Sequence, residues 1–173
     1  MILGKEKLID LFPNFSEDVQ QNGIDLRVGR IRKIISSEDT GCVNDTKMLP
    51  HYEEVDVDVT DGYYRLKPKT YYNVIIDRDI EIPNGYVQLY YIRSTFTRCG
   101  LQLLSSVGDN GFKGRLMMGL YNVSDNDILI GSNERIIQAV TYENDGTASL
   151  YDGTYQEDWF FIGFWDFYWL GKE

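Results

Sequence analysis

The sequence predicts an all-β fold with one short N-terminal helix, and three observations predict it. β-branched and aromatic residues gather in short runs at 31–35, 54–59, 71–76, 86–92, 115–121 and 135–142. Turn signals stand among these runs: Asp61-Gly62, Pro83-Asn84-Gly85, Asp109-Asn110-Gly111 and Asp145-Gly146. A helical pattern is held only at residues 5–12, and briefly. Many short strands at close spacing make a sandwich, a jelly roll or a barrel.

The helix rests on Leu8, Ile9, Leu11 and Phe12, set among charges and stopped by Pro13. Residues 36–52 are polar, lack a hydrophobic period and read as an exposed loop. Residues 54–59 alternate strictly, as a half-buried strand does. No internal repeat is present. The C-terminal stretch at 159–170 is aromatic throughout, from Trp159 to Trp169, yet with Asp166 inside it is too short and too polar to span a bilayer. It reads as a final strand or arm packed on its own domain or on a neighbouring subunit. A chain of 173 residues suits one domain, taken as 1–156 with an aromatic arm at 157–173 belonging to it.

A formal charge of −10 argues against a broad nucleic-acid face, which needs many Lys and Arg to neutralise phosphates. A single triphosphate needs only a local group of donors, with a divalent cation to offset the remaining repulsion. The start, Met1-Ile2-Leu3-Gly4-Lys5, carries no secretory pattern, so a cytoplasmic protein is expected. Cys42, Cys99 and the lone His51 are too few for the usual zinc sites, and His51 is given no catalytic role.

Four short motifs carry the chemistry: Gly23-Ile24-Asp25-Leu26, Arg93-Ser94-Thr95, Asp109-Asn110-Gly111-Phe112-Lys113-Gly114 and Glu134-Arg135-Ile136-Ile137-Gln138. In the third, glycines bend the chain tightly enough to hold an acid and an aromatic ring on one small ligand. A Gly-containing hairpin with a turn Asp and a core Phe would look the same. In the second, a guanidinium fork and hydroxyls suit phosphate oxygens, although a surface Arg with a Ser cap is the plain alternative. In the fourth, alternation on a strand places Gln138 on one face and Arg135 on the opposite one. Asp25 either helps hold a metal-bound water or makes an Asx turn after Gly23.

In order and residue type these motifs resemble the superfamily of trimeric dUTPases and dCTP deaminases, from Met1 to about Gln156. The resemblance implies a distorted jelly roll or β-barrel of short antiparallel strands, assembled as a homotrimer with sites at the subunit interfaces. It implies Asp109 as the general base for water, with Phe112 as the plate that excludes a 2′-hydroxyl. Arg93, Ser94, Thr95, Arg98 and Gln138 fall at its phosphate contacts, and Asn122 falls where the family also has an Asn. Leu104, Ser105 and Val107 lie in the hairpin whose backbone reads the base, and Tyr155 and Gln156 in a nucleotide-covering arm. Asp25 matches a residue holding Mg²⁺ through water.

The framework around Gln21–Gly29 and Arg93–Gly100 is closer to the deaminases, but their catalytic Glu falls at Gly119 here. Glycine cannot move a proton. The implied activity is therefore hydrolysis of dUTP to dUMP and pyrophosphate with Mg²⁺. Two alternatives stay open, a dCTP deaminase and a non-catalytic nucleotide- or protein-binding module. The sequence departs from the pattern at Gly108, where an aliphatic residue is expected, at Thr154, where the arm usually has Lys, and in lacking a Gly-rich closing motif.

Overall fold

A computed structural model describes residues 1–36, 38–55, 61–146 and 149–156. The aromatic run at 159–170, the arm at 157–173 and residues 56–59 of the strand expected at 54–59 lie outside the described residues. At the N-terminus, helix α1 (Lys5–Leu11) buries Leu8, and Pro13 opens a 3₁₀ turn (Pro13–Asp18) that buries Phe15 and Asp18. Two guanidiniums meet the buried Asp18 carboxylate. Arg27 Nη2 lies 2.7 Å and Arg78 Nη2 3.4 Å from its carboxylate.

Thirteen strands are assigned among the described residues: β1 (Ile24–Ile34), β2 (Gly41–Val43), β3 (Thr46–Met48), β4 (Tyr52–Glu54), β5 (Tyr63–Leu66), β6 (Tyr71–Ile76), β7 (Ile80–Glu81), β8 (Tyr86–Ile92), β9 (Leu101–Leu104), β10 (Lys113–Gly114), β11 (Met117–Asn122), β12 (Ile128–Gly131) and β13 (Arg135–Glu143). A second short helix, α2 (Ser94–Arg98), joins β8 to β9. The main sheet runs β8-β13-β1-β6-β11-β9, antiparallel throughout, with β4 paired to β1 and three two-stranded pairs beside it. Its far ends are drawn together by one bridge, Gln88 with Gly108, so the all-β jelly roll or barrel expected from the sequence is nearly closed.

β1 turns the corner of this barrel. Ile24–Arg27 pair with β13, whereas residues from Val28 onward pair with β6, and Gly29 is the bulge within the β6 register. A Cβ at Gly29 would meet Ile76 O at 2.7 Å, so only glycine permits the bend. Leu26, Ile31, Ile76, Leu120, Ile136 and Ile137 fill the interior without exposure. Each such side chain contributes about 2 kcal/mol on burial.

Three expectations need correction. The strand at 31–35 begins seven residues earlier, at Ile24, so Asp25 sits in a strand and makes no Asx turn. Within the loop expected at 36–52, residues 38–49 are exposed but hold a small hairpin, β2 with β3, turned by Asn44 and Asp45 at positive φ, and Tyr52 already belongs to β4. Arg93-Ser94-Thr95 leads into a helical turn, held by burial of Phe96. No helix among the described residues is long and apolar enough to cross a membrane.

Candidate active site

Asp109 is exposed and sits between two residues that the fold holds fast. On one side Gly108 exchanges both backbone hydrogen bonds with Gln88, at 2.8 and 2.9 Å. On the other, the buried Asn110 accepts from Gly85 N at 2.8 Å, donates to Ser149 O at 3.1 Å, and takes the Tyr151 amide on its own carbonyl at 2.8 Å. Phe112 N closes the turn onto Asp109 O at 3.0 Å, while Gly111 lies at φ 78°, a region that favours glycine. A carboxylate carried this way has little freedom to wander.

Segment 149–156 lies over this turn in the same chain. The Leu150 side chain lies 2.8 Å from where a Cβ at Gly111 would be, and the Tyr151 ring meets Phe112 edge-on with centroids 5.7 Å apart. Gln156 donates to Gly111 O at 2.9 Å and accepts from Lys113 N at 3.1 Å, bracketing Phe112. Tyr155 lies under Lys47 Nζ at 4.6 Å, and the same ammonium donates to Thr154 Oγ1 at 2.8 Å. Where the sequence lacks a Lys at 154, hairpin β2–β3 brings one beside it.

The cationic motifs form a second group. Asp25 is buried, and its Oδ2 lies 3.3 Å from Arg93 Nε and 3.5 Å from Arg135 Nη1, with the Gln138 amide against it as a donor. Burial pushes the Asp25 carboxyl up, and the two guanidiniums hold part of that rise back. Asp25 Oδ1 has no hydrogen-bond partner among the described residues. Arg93 also donates from Nη1 to Arg135 O at 2.9 Å, which fixes its fork beside exposed Ser94 and Thr95. Arg98 is exposed at the far end of α2, outside this group.

The expected alternation of Arg135 and Gln138 fails. β13 carries an extra residue, Ile136, between the partners of Leu26 and Arg27, so both polar side chains turn to Asp25. Asn122 serves the fold rather than the site, since it donates to Leu66 O and Asn126 O at 3.0 and 2.8 Å and accepts from Ser124. Leu104 and Val107 are half-exposed, and Ser105 Oγ donates to Tyr90 O at 3.4 Å. Sequence reasoning missed Gln88, Tyr90, Asn110, Tyr151 and Lys47, whose roles arise only from tertiary contacts; the unusual glycine at 108 was the one available signal.

Among the described residues no cluster of three or more acidic, His or Cys side chains is present to hold a metal.

Curated relatives cover nearly the whole chain. A "Probable deoxyuridine 5'-triphosphate nucleotidohydrolase" of Methanothermobacter thermautotrophicus is 39% identical over 91% of this chain and 100% of its own length. A "dCTP deaminase" of Pyrobaculum neutrophilum is 30% identical over 89% of this chain and 84% of its own. Among solved structures, the 2'-deoxycytidine 5'-triphosphate deaminase of Agrobacterium tumefaciens superposes with a TM-score of 0.62 at 14% identity, over 83% of this chain and 48% of that one. The barrel corner at Gly29, the Asp109 turn and the Arg93 group all fall within residues 1–144, which the dCTP deaminase-like family model matches, and the chain belongs to that family.

Proposed function

We propose that the protein is a cytoplasmic, homotrimeric dUTP diphosphatase that hydrolyses dUTP to dUMP and pyrophosphate with Mg²⁺. The observation that carries this reading is the exposed Asp109 carboxylate on a turn clamped at Gly108 and Asn110. It accepts a proton from water as the water oxygen bonds to the α-phosphorus, and the α,β-bridging P–O bond breaks to release pyrophosphate. Arg93 Nη2, Ser94 and Thr95 stand ready as donors to the leaving group, with Asp25 and Arg135 O fixing the orientation of Arg93. Gln138 and Arg135 add a polar and a positive group beside them, while Arg98 is a further cation at the far end of α2.

Phe112, braced edge-on by Tyr151, offers its face to the deoxyribose. The backbone of Ser105, Ser106 and Val107 makes no backbone hydrogen bond among the described residues, whereas Gly108 is saturated by Gln88. Those three exposed residues, flanked by Leu104, therefore have free donors and acceptors for a pyrimidine edge. Tyr155 and Gln156 complete the cover. Asp25 Oδ1, buried and without a hydrogen-bond partner among the described residues, would hold a metal-bound water. The chemistry that Mg²⁺ would supply with the nucleotide is neutralisation of charge and polarisation of the reacting phosphate.

Deamination of dCTP is disfavoured at Gly119. A Cβ there would lie 2.6 Å from the Tyr71 hydroxyl and 2.9 Å from its ring, so the position has no acid, and a side chain there would have to displace that ring. Incubation with dUTP, dCTP, dTTP and UTP plus Mg²⁺ is expected to yield pyrophosphate fastest from dUTP and no ammonia from dCTP. Ammonia released from dCTP at an enzymatic rate would restore the deaminase, and tight deoxynucleotide binding without pyrophosphate would favour a binding module.

A further inference from the structure

Gly108 precedes Asp109, and its backbone does not require glycine, since its φ lies outside the left-handed region. Space requires it. A Cβ on Gly108 would collide with the Tyr90 hydroxyl oxygen and lie 3.0 Å from Tyr90 Cζ and 2.7 Å from Ile82 Cδ1. The side chain that position 108 lacks has in effect been supplied from β8, across the seam where the barrel closes.

Tyr90 is itself fixed. It is 7% exposed, and its hydroxyl donates to Gln88 Oε1 at 3.2 Å, while the amide of Gln88, fully buried, donates to Thr141 Oγ1 at 3.1 Å. Gln88 is the residue whose backbone takes both hydrogen bonds of Gly108. Its main chain and side chain thus hold the two things that meet at position 108, the glycine backbone and the phenol against it. Ser105 Oγ reaches the Tyr90 carbonyl at 3.4 Å, tying the incoming loop to the same residue. Burial and the negative charge of Asp109 push the Tyr90 phenol well above its ordinary range, so it remains a neutral donor.

We propose that Tyr90 is a positioning residue for Asp109: its phenol, held by Gln88 and Thr141, wedges against Gly108 and sets where the Asp109 carboxylate leaves the sheet. The proposal rests on the reading of Asp109 as general base. A base must sit within hydrogen-bond reach of its water, and a displacement of about 1 Å costs on the order of a hundredfold in rate.

The test is steady-state kinetics on dUTP with Mg²⁺, with thermal melting alongside. Tyr90→Phe keeps the ring but removes the hydroxyl, and kcat is expected to fall about tenfold with KM within about twofold and little change in Tm. Gly108→Ala drives a methyl into the phenol, and kcat is expected to fall about a hundredfold. Adding Tyr90→Phe to Gly108→Ala should recover part of that loss, because the oxygen that the methyl meets is gone. A merely structural Tyr90 would lower Tm and kcat together, with additive substitutions. Parental kcat in Tyr90→Phe, loss of activity only in step with Tm, or a double variant no better than Gly108→Ala would each overturn the proposal. Asp109→Asn separates the two readings. If it abolishes turnover while Tyr90→Phe is silent, the base stands and the wedge falls; if it leaves kcat unchanged, both fall.

Discussion

Asp109 and Asp25 are both carboxylates in motifs of the same family, yet their surroundings give them opposite characters. Asp109 is exposed on a turn, held to the fold by its backbone and its neighbours rather than by its carboxylate. Asp25 is buried against Arg93 and Arg135, where it orients cations instead of meeting bulk water. Exposure suits a base that must exchange its proton each turnover, and burial suits a permanent counter-ion. Asp109→Asn keeps size and much of the hydrogen bonding but removes the basic oxygen. Pyrophosphate release is therefore expected to fall by about 10² to 10⁴. Affinity for a deoxynucleotide with Mg²⁺, followed by calorimetry, should hold or improve as a carboxylate near the phosphates is lost. An unchanged rate would remove Asp109 from the chemistry.

At the scale of elements, the Asp109 turn owes its shape to a segment about forty residues further along the chain. Gln156 spans Phe112 from both sides, and its Oε1 is the partner of the Lys113 amide. Gln156→Ala should speed hydrogen exchange at the Lys113 amide about tenfold, the loss of roughly one hydrogen bond, while β11 amides keep their protection. Equal exchange in both proteins would show that segment 149–156 does not hold the turn. This clamp was not legible in the sequence, because nothing local links Gln156 to Gly111. The turn itself was legible, since Asp-Asn-Gly is a turn by its own chemistry. Strands β6 and β8 were read with their observed limits because alternation and β-branching agree there. β1 was read short because it changes partners between Arg27 and Val28 and bulges at Gly29, so charged Asp25, Arg27 and Arg30 interrupt its pattern. Helix α2 is rich in β-branched residues and hydroxyls and exists through packing of Phe96, a tertiary fact. Arg135 and Gln138 converge because of a bulge that no period predicts.

For the whole molecule, a net charge of −10 must be reconciled with binding a triphosphate. The fold does so by concentrating Arg93 and Arg135 around one buried acid, Asp25. The two groups would be half-sites if a working centre took its acid from one chain and its cations from another. A cyclic homotrimer would complete them if the cationic group of one subunit faced the Asp109 turn of the next. Light scattering should then give three times the 20.1 kDa chain mass. A sharper measurement uses complementation. Arg93→Gln damages one half-site and Asp109→Asn the other, so each variant alone is expected to be nearly inactive. In trimers reassembled from an equal mixture, a site works when a chain with intact Arg93 faces a chain with intact Asp109. Each requirement is met half the time, so about a quarter of parental activity should return. If both half-sites of a working centre came from one chain, mixing would restore nothing, because every chain in the mixture carries a lesion. A monomer mass, or a mixture no more active than its components, would place the whole centre within a single barrel and require Arg93 and Asp109 to meet there.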